Sequence, residues 1–380
     1  MWPELLMSME KPRILTVCGT RPEAIKLAPV VHAALLESRV EHHLCVTAQH
    51  RQMLDQVLGV FGLTPDSDLD IMKPGQTLDG VAAAVLGGVG QVMDAWKPDW
   101  VIVQGDTTTA FGAALAGYHR QVKVAHVEAG LRTGNLYSPW PEEGNRRLIG
   151  QLATIHFPPT ESAANNLRRE GFSESRIEVT GNSVIDALHW VADKVTSDTG
   201  LADRFAFLNP NRRLILVTGH RRENFDGGLE RVCQALAQIA KRPDVEILYP
   251  VHLNPVVQAT AQHLLASSPN VHLIEPQDYL PFVYLMRRAT LIVTDSGGIQ
   301  EEAPGLGKPV LVTRDTTERP EAIEAGTARL IGTSSEALIS SVNELLDDPA
   351  AYAAMAQAKN PFGDGEAAGR IIARLLKESA

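Results

Sequence analysis

Three acidic residues occupy positions that suit them for acid–base chemistry. Asp106 and Glu128 each follow a short apolar run that reads as a strand, and Glu142 lies in a loop after a proline. Each also has a structural explanation: Asp106 could cap the helix that follows, and Glu128 could pair with Arg132. Glu142 and Glu143 could form an ordinary acidic first turn of a helix. Taken together, two acids at strand ends and a third in a loop indicate groups that donate and accept protons.

The second half of the chain contains a predicted phosphate-binding turn. Ser296, Gly297 and Gly298 follow an apolar strand and precede a helix, so free amides and the positive end of the helix dipole converge there. Glu302, one turn into that helix, could accept hydrogen bonds from a ribose diol. The alternative is a tight strand-to-helix turn beside a solvated glutamate. Arg319, which follows the next strand, favours a diphosphate as the ligand.

Basic residues mark the openings of both halves. Residues 13–23 and 213–223 share Arg, Val, Gly, Arg and Glu in register, and in both the apolar run ends in a glycine. In the first copy, Arg21 and Lys26 could meet an anion or be surface charges near a helix start. In the second copy, His220 could face the acids of the first half or be a structural histidine. Two similar openings predict two α/β domains that bind ligands at the carboxyl ends of their strands.

Strands and helices alternate along the whole chain, and this rhythm must position the groups above. Apolar runs predict strands near 13–18, 42–47, 100–104, 122–127, 153–158, 213–218, 245–251, 271–275, 290–294 and 309–313. The predicted fold class is α/β, with two Rossmann-like domains and a ligand cleft between them. We expect an N-terminal domain over 1–185 that carries the acids and a nucleotide-binding domain over 186–362. A C-terminal helix at 363–380 could pack on either domain, and the polar stretch 197–211 is the expected linker.

Composition excludes several classes of protein. The 380 residues carry a net charge of −10, with 44% hydrophobic and 21% charged residues, which argues against a nucleic-acid partner. Cys18, Cys45 and Cys233 lack the spacing of a metal site or a disulfide framework, so a reducing cytoplasm is expected. The first ten residues do not resemble a signal peptide, and no stretch has the roughly 18 apolar residues of a membrane span.

Eight ordered motifs resemble those of the non-hydrolysing UDP-N-acetylglucosamine 2-epimerases. The resemblance covers residues 13–335, and the motifs are Cys-Gly-Thr-Arg-Pro-Glu-Ala-Ile-Lys, Thr-Ala-Gln-His-Arg-Gln-Met-Leu-Asp, Gln-Gly-Asp-Thr-Thr-Thr, His-Val-Glu-Ala-Gly-Leu-Arg, Pro-Glu-Glu-Gly-Asn-Arg, Gly-His-Arg-Arg-Glu-Asn, Tyr-Pro-Val-His-Leu-Asn-Pro and Asp-Ser-Gly-Gly-Ile-Gln-Glu-Glu. The resemblance implies the GT-B type of fold and interconversion of UDP-N-acetylglucosamine and UDP-N-acetylmannosamine. It also implies a homodimer that serves polysaccharide synthesis.

The chemistry of this reaction accounts for the residue types. The proton at C2 of the sugar is not adjacent to a carbonyl, so its direct removal would give an unstabilised carbanion. Transient oxidation would need a bound nicotinamide, and a nicotinamide site usually has a G-x-G-x-x-G motif directly after a strand. The glycine-rich stretch with Gly87, Gly88 and Gly90 lies in a helix-like run instead. Elimination of UDP to a neutral glycal, followed by re-addition, needs only acids and cations, with no cofactor or metal. The alternatives are a hydrolysing relative, a GT-B glycosyltransferase and a non-catalytic sensor of UDP-sugars.

The resemblance also assigns roles to individual residues. By motif position, the catalytic residues are Asp106, Glu128, Glu142 and His220. The matching substrate contacts are Arg21, Lys26, Gln277, Phe282, Ser296, Gly297, Gly298, Glu302 and Arg319. Residues that match an activator site for a second UDP-N-acetylglucosamine are Gln49, Gln52, Arg221 and His252. Gly75 stands where the family has an arginine, so one charged contact of that activator site is missing.

Overall fold

The chain forms two units. The computed structural model describes residues 11–48, 51–73, 75–196, 198–219, 221 and 227–379. The first unit comprises Met1–Ala187 together with Gly363–Ala380, and the second comprises Leu188–Phe362. Within the described ranges, no helix combines the length and the apolar character needed to cross a membrane.

A parallel sheet of six strands forms the centre of the first unit. Its strands are β1 (Arg13–Cys18), β2 (Glu41–Val46), β3 (Ser67–Asp68), β4 (Trp100–Gln104), β5 (Lys123–Val127) and β6 (Ile155–Phe157). The spatial order is β3-β2-β1-β4-β5-β6, which is the doubly wound Rossmann order. All residues of β4 are buried, because helices cover both faces of a parallel sheet. Ligands of such sheets bind beyond the carboxyl ends of the strands, near the point where the order reverses between β1 and β4.

Helices cover this sheet, and one of them comes from the far end of the sequence. They are α1 (Arg21–Leu36), α2 (Arg51–Phe61), α3 (Leu78–Trp96), α4 (Thr108–His119), α5 (Glu142–Leu152), α6 (Glu161–Arg169), α7 (Ser183–Thr196), which continues into the second unit, and α16 (Ala367–Ser379). α16 packs against α1. The Trp100 Nε1 atom donates a hydrogen bond to Ser379 Oγ at 2.9 Å, and the Ala368 amide donates to Asp186 Oδ1 at 2.8 Å. The C-terminal helix therefore belongs to the first unit.

The second unit repeats the architecture of the first. Its strands are β7 (Arg213–Thr218), β8 (Val245–Pro250), β9 (Val271–Ile274), β10 (Leu291–Thr294), β11 (Val310–Val312) and β12 (Ala328–Leu330). The spatial order, starting from β9, is β9-β8-β7-β10-β11-β12. It is the same as the order of the first sheet, with β7 in the place of β1. The two similar sequence openings thus form the equivalent strands β1 and β7. The prediction of two Rossmann-like α/β domains is confirmed.

The second unit also has its own set of helices. They are α8 (Thr199–Arg204), α9 (Gly228–Ile239), α10 (Pro255–Leu265), α11 (Tyr279–Arg288), α12 (Gly297–Gly305), α13 (Pro320–Glu324), α14 (Ser335–Asp347) and α15 (Pro349–Ala356). The linker prediction for 197–211 was wrong: residues 198–211 lie inside this unit and contain α8. Their polar character comes partly from helix capping, since Asp198 Oδ1 accepts a hydrogen bond from the Leu201 amide at 3.1 Å.

Candidate active site

Two of the predicted acids follow neighbouring strands of the first sheet. Gln104, the last residue of β4, pairs in register with Val127, the last residue of β5. Asp106 comes two residues after β4, and Glu128 comes immediately after β5. Glu128 has a φ of 59°, a left-handed conformation that is unfavourable for residues other than glycine. Strained backbone of this kind is concentrated at functional sites, and here it lies where the sheet topology places a ligand.

Glu128 is buried and accepts hydrogen bonds from three side chains. One carboxylate oxygen, Oε1, pairs with Lys26 Nζ from α1 and accepts a hydrogen bond from Asn182 Nδ2 at 3.2 Å. The other oxygen, Oε2, accepts from Gln104 Nε2. A cation and two amide donors stabilise the ionised carboxylate and fix its orientation. The alternative pairing of Glu128 with Arg132 is not formed, because Arg132 pairs with Glu170 at 2.7 Å.

Asp106 is held by two consecutive residues of α5. Its carboxylate pairs with Arg146, and its backbone carbonyl accepts a hydrogen bond from Asn145 Nδ2 at 2.9 Å. Burial raises the pKa of Asp106, the neighbouring charge of Glu128 raises it further, and Arg146 opposes both effects. Asp106 does not cap the following helix, because Thr107 is the N-cap residue of α4. The carboxylate of Asp106 is therefore bound by Arg146 and is not used to cap α4.

The third predicted acid, Glu142, stands apart from the other two. It is the first residue of α5 and is partly exposed. In the described part of the chain, no hydrogen bond or ion pair joins Glu142 to Asp106 or Glu128. Glu143, by contrast, is fully buried and accepts hydrogen bonds from the Thr133 amide at 3.0 Å and Arg147 Nε at 2.9 Å. Glu143 fixes the start of α5, whereas Glu142 is free to face a ligand.

The first turn of α1 is hydrogen-bonded to the loop that carries Asp106. Glu23 is buried and accepts hydrogen bonds from the Gly19 amide at 3.0 Å, the Thr20 amide at 2.8 Å and Thr107 Oγ1 at 2.6 Å. Burial raises the pKa of Glu23, and these hydrogen bonds oppose the rise. Because Thr107 follows Asp106, Glu23 ties the loop after β1 to the loop after β4. Arg21, at the start of the same helix, is partly exposed and has no ion pair among the described side chains.

In the second unit, the predicted phosphate site is a helix N-terminus. Ser296 is the N-cap residue of α12, and its side chain makes no capping hydrogen bond. Gly297 is buried and Gly298 is exposed, so the helix reaches the surface at its second residue. Its amides and the helix dipole can bind an anion. Glu302 lies one turn further along α12 and is partly buried.

The other predicted substrate contacts of this unit have protein partners. Arg319, the N-cap residue of α13, pairs with Glu301. Gln277 is partly exposed and accepts a hydrogen bond from Arg204 at 2.6 Å through Oε1. Phe282 lies in α11 and is partly buried.

The predicted activator residues lie on both units. Gln52 is exposed on α2, and His252 is exposed after β8, where its Nδ1 atom accepts a hydrogen bond from the Asn254 amide at 3.1 Å. The Arg221 amide donates to Asp295 Oδ2 at 2.8 Å. Gly75 is exposed with a φ of 69°. The predicted activator residue Gln49 and the predicted catalytic residue His220 lie outside the described residues.

Several residues that contact the acids were not predicted from the sequence. They are Gln104, Asn145, Arg146 and Asn182, and Glu23 contacts Thr107, the neighbour of Asp106. All but Asn182 belong to motifs quoted above, and Gln104 directly precedes Gly105 and Asp106. Amides beside acidic residues within one motif were the available signal. Among the described residues, no group of three or more histidine, cysteine, aspartate or glutamate side chains could hold a metal ion.

Comparison with known proteins gives one consistent result. The family model described as UDP-N-acetylglucosamine 2-epimerase matches residues 33–376. The UDP-N-acetylglucosamine 2-epimerases of Yersinia pestis and of Escherichia coli strain K12 are 58% and 55% identical to the chain over 368 residues, which cover 96% of the chain and 98% of each relative. The crystal structure of UDP-GlcNAc 2-epimerase from Neisseria meningitidis bound to UDP-GlcNAc is similar with a TM-score of 0.85 and 49% identity, covering 96% of this chain and all of that one. These matches confirm the predicted GT-B type of fold.

Proposed function

Because the chain belongs to the UDP-N-acetylglucosamine 2-epimerase family, we propose that it interconverts UDP-N-acetylglucosamine and UDP-N-acetylmannosamine. The two molecules differ only in the configuration at C2 of the sugar. Support for this assignment comes from the family match over residues 33–376 and from relatives that are 58% and 55% identical over nearly the whole chain.

The reaction proceeds by elimination and re-addition. A carboxylate accepts the C2 proton while the bond between C1 and the UDP oxygen breaks. The C–H electron pair forms the C1=C2 double bond of a glycal, and UDP leaves with the electrons of the C–O bond. Re-addition of UDP with delivery of a proton to the opposite face gives the epimer. Elimination and re-addition together leave the oxidation state of the sugar unchanged, so the reaction needs no redox cofactor.

The observation that carries this proposal is the arrangement of two acids after adjacent strands, each paired with a cation. Glu128 pairs with Lys26, and Asp106 pairs with Arg146. Burial raises the pKa of Asp106, which makes its carboxylate a stronger proton acceptor than a solvent-exposed aspartate. Glu142, which is not bound to either acid, is the third proton carrier of the proposal. The role of His220 beside the leaving group rests on its motif alone.

The second unit supplies binding of the nucleotide in this proposal. Its α12 N-terminus, with Gly297 and Gly298, stabilises the negative charge that grows on the diphosphate as UDP departs. Glu302 binds the ribose diol, and Arg319 adds positive charge after β11. Gln277 and Phe282 complete the contacts with the nucleotide.

The test is incubation of the protein with UDP-N-acetylglucosamine in deuterated water, followed by NMR of the sugar. We expect deuterium at C2 of both epimers. Replacement of Asp106 by asparagine or Glu128 by glutamine should lower kcat by about 10²- to 10⁴-fold, the usual contribution of acid–base catalysis. Glu161→Gln, which changes an exposed glutamate of α6, is the matched control and should leave kcat unchanged. Epimers that retain hydrogen at C2 would contradict the elimination mechanism.

The same experiment distinguishes epimerisation from the hydrolysing alternative. If water rather than UDP captured the intermediate, the products would be free N-acetylmannosamine and UDP. We expect the nucleotide and the sugar to remain joined at equilibrium. Accumulation of free N-acetylmannosamine as fast as the substrate is consumed would contradict this proposal and favour the hydrolysing reaction.

We further propose that the protein works in the cytoplasm as a homodimer, as the family resemblance implies. Cys18, Cys45 and Cys233 are buried free thiols, which is consistent with a reducing compartment. Sedimentation equilibrium at micromolar concentration tests the dimer.

A further inference from the structure

His126 lies inside β5, two residues before Glu128, and is 1% exposed. Its Nε2 atom lies 2.7 Å from the carbonyl oxygen of Gly105. A carbonyl only accepts hydrogen bonds, so Nε2 carries the ring proton and donates it. The bond therefore fixes the tautomer of the imidazole and links β5 to the loop that carries Asp106.

The Gly105 carbonyl belongs to the peptide group whose nitrogen is that of Asp106. The orientation of this peptide group sets the direction in which the Asp106 side chain leaves the backbone. On its other side, the Gly105 amide donates to the Val127 carbonyl at 2.9 Å. Gly105 has a φ of 68°, so the loop makes a sharp turn at this residue. His126 supplies the hydrogen bond that holds the turn in one orientation.

The surroundings of His126 keep its ring neutral. Burial lowers the pKa of His126 to about 4, and the nearby charges of Arg132 and Arg146 act in the same direction. The hydrogen bond to Gly105 and the charge of Glu128 oppose this. The ring therefore donates one fixed proton rather than exchanging protons with the substrate.

We propose that His126 is a positioning residue for the epimerase reaction: its Nε2–H···O=C bond to Gly105 sets the placement of Asp106 relative to Glu128. This inference rests on the proposed function, because it assumes that Asp106 transfers a proton. Displacement of a reacting group by about 1 Å costs up to about 100-fold in rate. The bond therefore matters for the chemical step more than for substrate affinity.

The neighbouring strand provides an internal comparison. His156 on β6 is the register partner of His126 and is fully buried. Its ring packs against Phe172 at a centroid distance of 4.6 Å, and neither ring nitrogen has a hydrogen-bond partner in the described part of the protein. His156 thus shares the burial and the strand position of His126 without the bond to the Asp106 loop.

Three variants of the full-length protein test the proposal: His126→Leu, His126→Gln and His156→Leu. Leucine removes the donor, whereas the amide of glutamine places an N–H at a reach similar to that of Nε2. We expect H126L to lower kcat by about 10- to 100-fold with little change in KM. We expect H126Q to recover most of the loss and H156L to retain the wild-type kcat, with all rates corrected for the folded fraction. Equal losses of kcat in H126L and H156L, or no recovery in H126Q, would overturn the proposal.

A second measurement does not depend on turnover. In a crystal structure of H126L, the peptide group between Gly105 and Asp106 should be rotated or displaced, and in H126Q it should keep the wild-type orientation. An unmoved peptide group in H126L would overturn the positioning role even if the wild-type protein epimerised nothing. Absence of UDP-N-acetylmannosamine with wild-type protein would instead defeat the proposed function, so the two failures are distinguishable.

Discussion

Lys26 and Glu128 are 102 residues apart in the sequence and form an ion pair whose side chains are only 18% and 7% exposed. The cation comes from the first turns of α1, and the acid follows β5. The pair therefore links the helix that follows β1 to the end of β5, across the switch point between β1 and β4. A charge buried to this extent depends on its partner far more than a surface charge does.

Removal of the cation should be costly for both stability and activity. In Lys26→Met, Glu128 keeps the hydrogen bonds from Gln104 and Asn182 but loses the ion pair with Lys26, and we expect the free energy of unfolding to fall by about 1–3 kcal/mol. We also expect kcat to fall, because the carboxylate loses its fixed orientation. Urea unfolding and steady-state kinetics measure the two effects.

The double variant K26M/E128Q is the control for this prediction. Neutralising the acid removes the charge that Lys26 balanced, so the double variant should be more stable than the sum of the single changes implies. If the losses of unfolding free energy in K26M and E128Q add up to the loss in the double variant, the two side chains are not energetically coupled.

Gly105, in the loop that carries Asp106, should be required for its backbone conformation rather than for its small size. A Cβ at Gly105 would meet only Glu128 Oε2 at 3.5 Å, an ordinary contact, but the φ of 68° disfavours any other residue. We expect Gly105→Ala to destabilise the protein by about 1–2 kcal/mol and to lower kcat. Gly59 of α2 has open space around its Cα, so Gly59→Ala should stabilise by up to about 1 kcal/mol. Thermal unfolding of both variants distinguishes backbone strain from a general effect of added methyl groups.

Negative charge at the α12 N-terminus should weaken substrate binding. In Gly298→Asp, the helix dipole favours the new carboxylate by about 0.3–1 kcal/mol. A Cβ at this position lies 3.6 Å from Glu302 Oε1, so repulsion between the two carboxylates offsets that gain. The same carboxylate repels a diphosphate, so KM for UDP-N-acetylglucosamine should rise by at least about tenfold. Gly298→Ala adds bulk without charge and should raise KM much less. If alanine and aspartate raise KM equally, the site does not select for negative charge.

His156 should contribute to loss of stability in acid. Burial lowers its pKa from 6.5 to about 3, and the nearby His126, Arg176 and Arg132 act in the same direction. Between these values the unfolded chain binds one proton more than the folded protein, so stability falls with decreasing pH by up to about 1.4 kcal/mol per unit. His156→Leu should reduce the difference in unfolding free energy between pH 7.5 and 5.5 by about 1 kcal/mol. An unchanged difference would mean that the folded protein protonates this ring.

Regulation by a second substrate molecule should be weak or absent. Gly75 offers no charge where the family resemblance places an arginine, although the predicted activator residues Gln49, Gln52, Arg221 and His252 are present. We expect UDP-N-acetylmannosamine alone to be converted from the first seconds, without a lag and without added UDP-N-acetylglucosamine. A lag that added UDP-N-acetylglucosamine abolishes would show that the activator site functions without the arginine.

The sequence was sufficient for the fold and for the position of the acids, because both depend on local patterns. Strands rich in buried apolar residues were predicted within a few residues, whereas the short edge strands Ser67–Asp68 and Ala328–Leu330 were missed because they carry too few residues for periodicity. Asp106 and Glu128 were found because they follow strands directly.

The partners of these acids could not be read from the sequence. Lys26 was predicted as a substrate contact and pairs with Glu128, and Arg319 pairs with Glu301. Which cation meets which acid depends on how helices pack over the sheet, and that packing joins residues far apart in the chain. Amide donors such as Gln104 and Asn182 have no periodic signal and become visible only in the folded protein.

The return of α16 to α1 makes the second unit an insertion within the first. During synthesis, the sheet that carries the acids emerges from the ribosome long before the helix that covers Trp100 and binds Asp186. The second unit can complete its fold while the first still exposes an apolar surface. The first unit should therefore complete its fold after the second. Nascent chains that end before residue 363 should lack α16, and their first unit should be prone to aggregation.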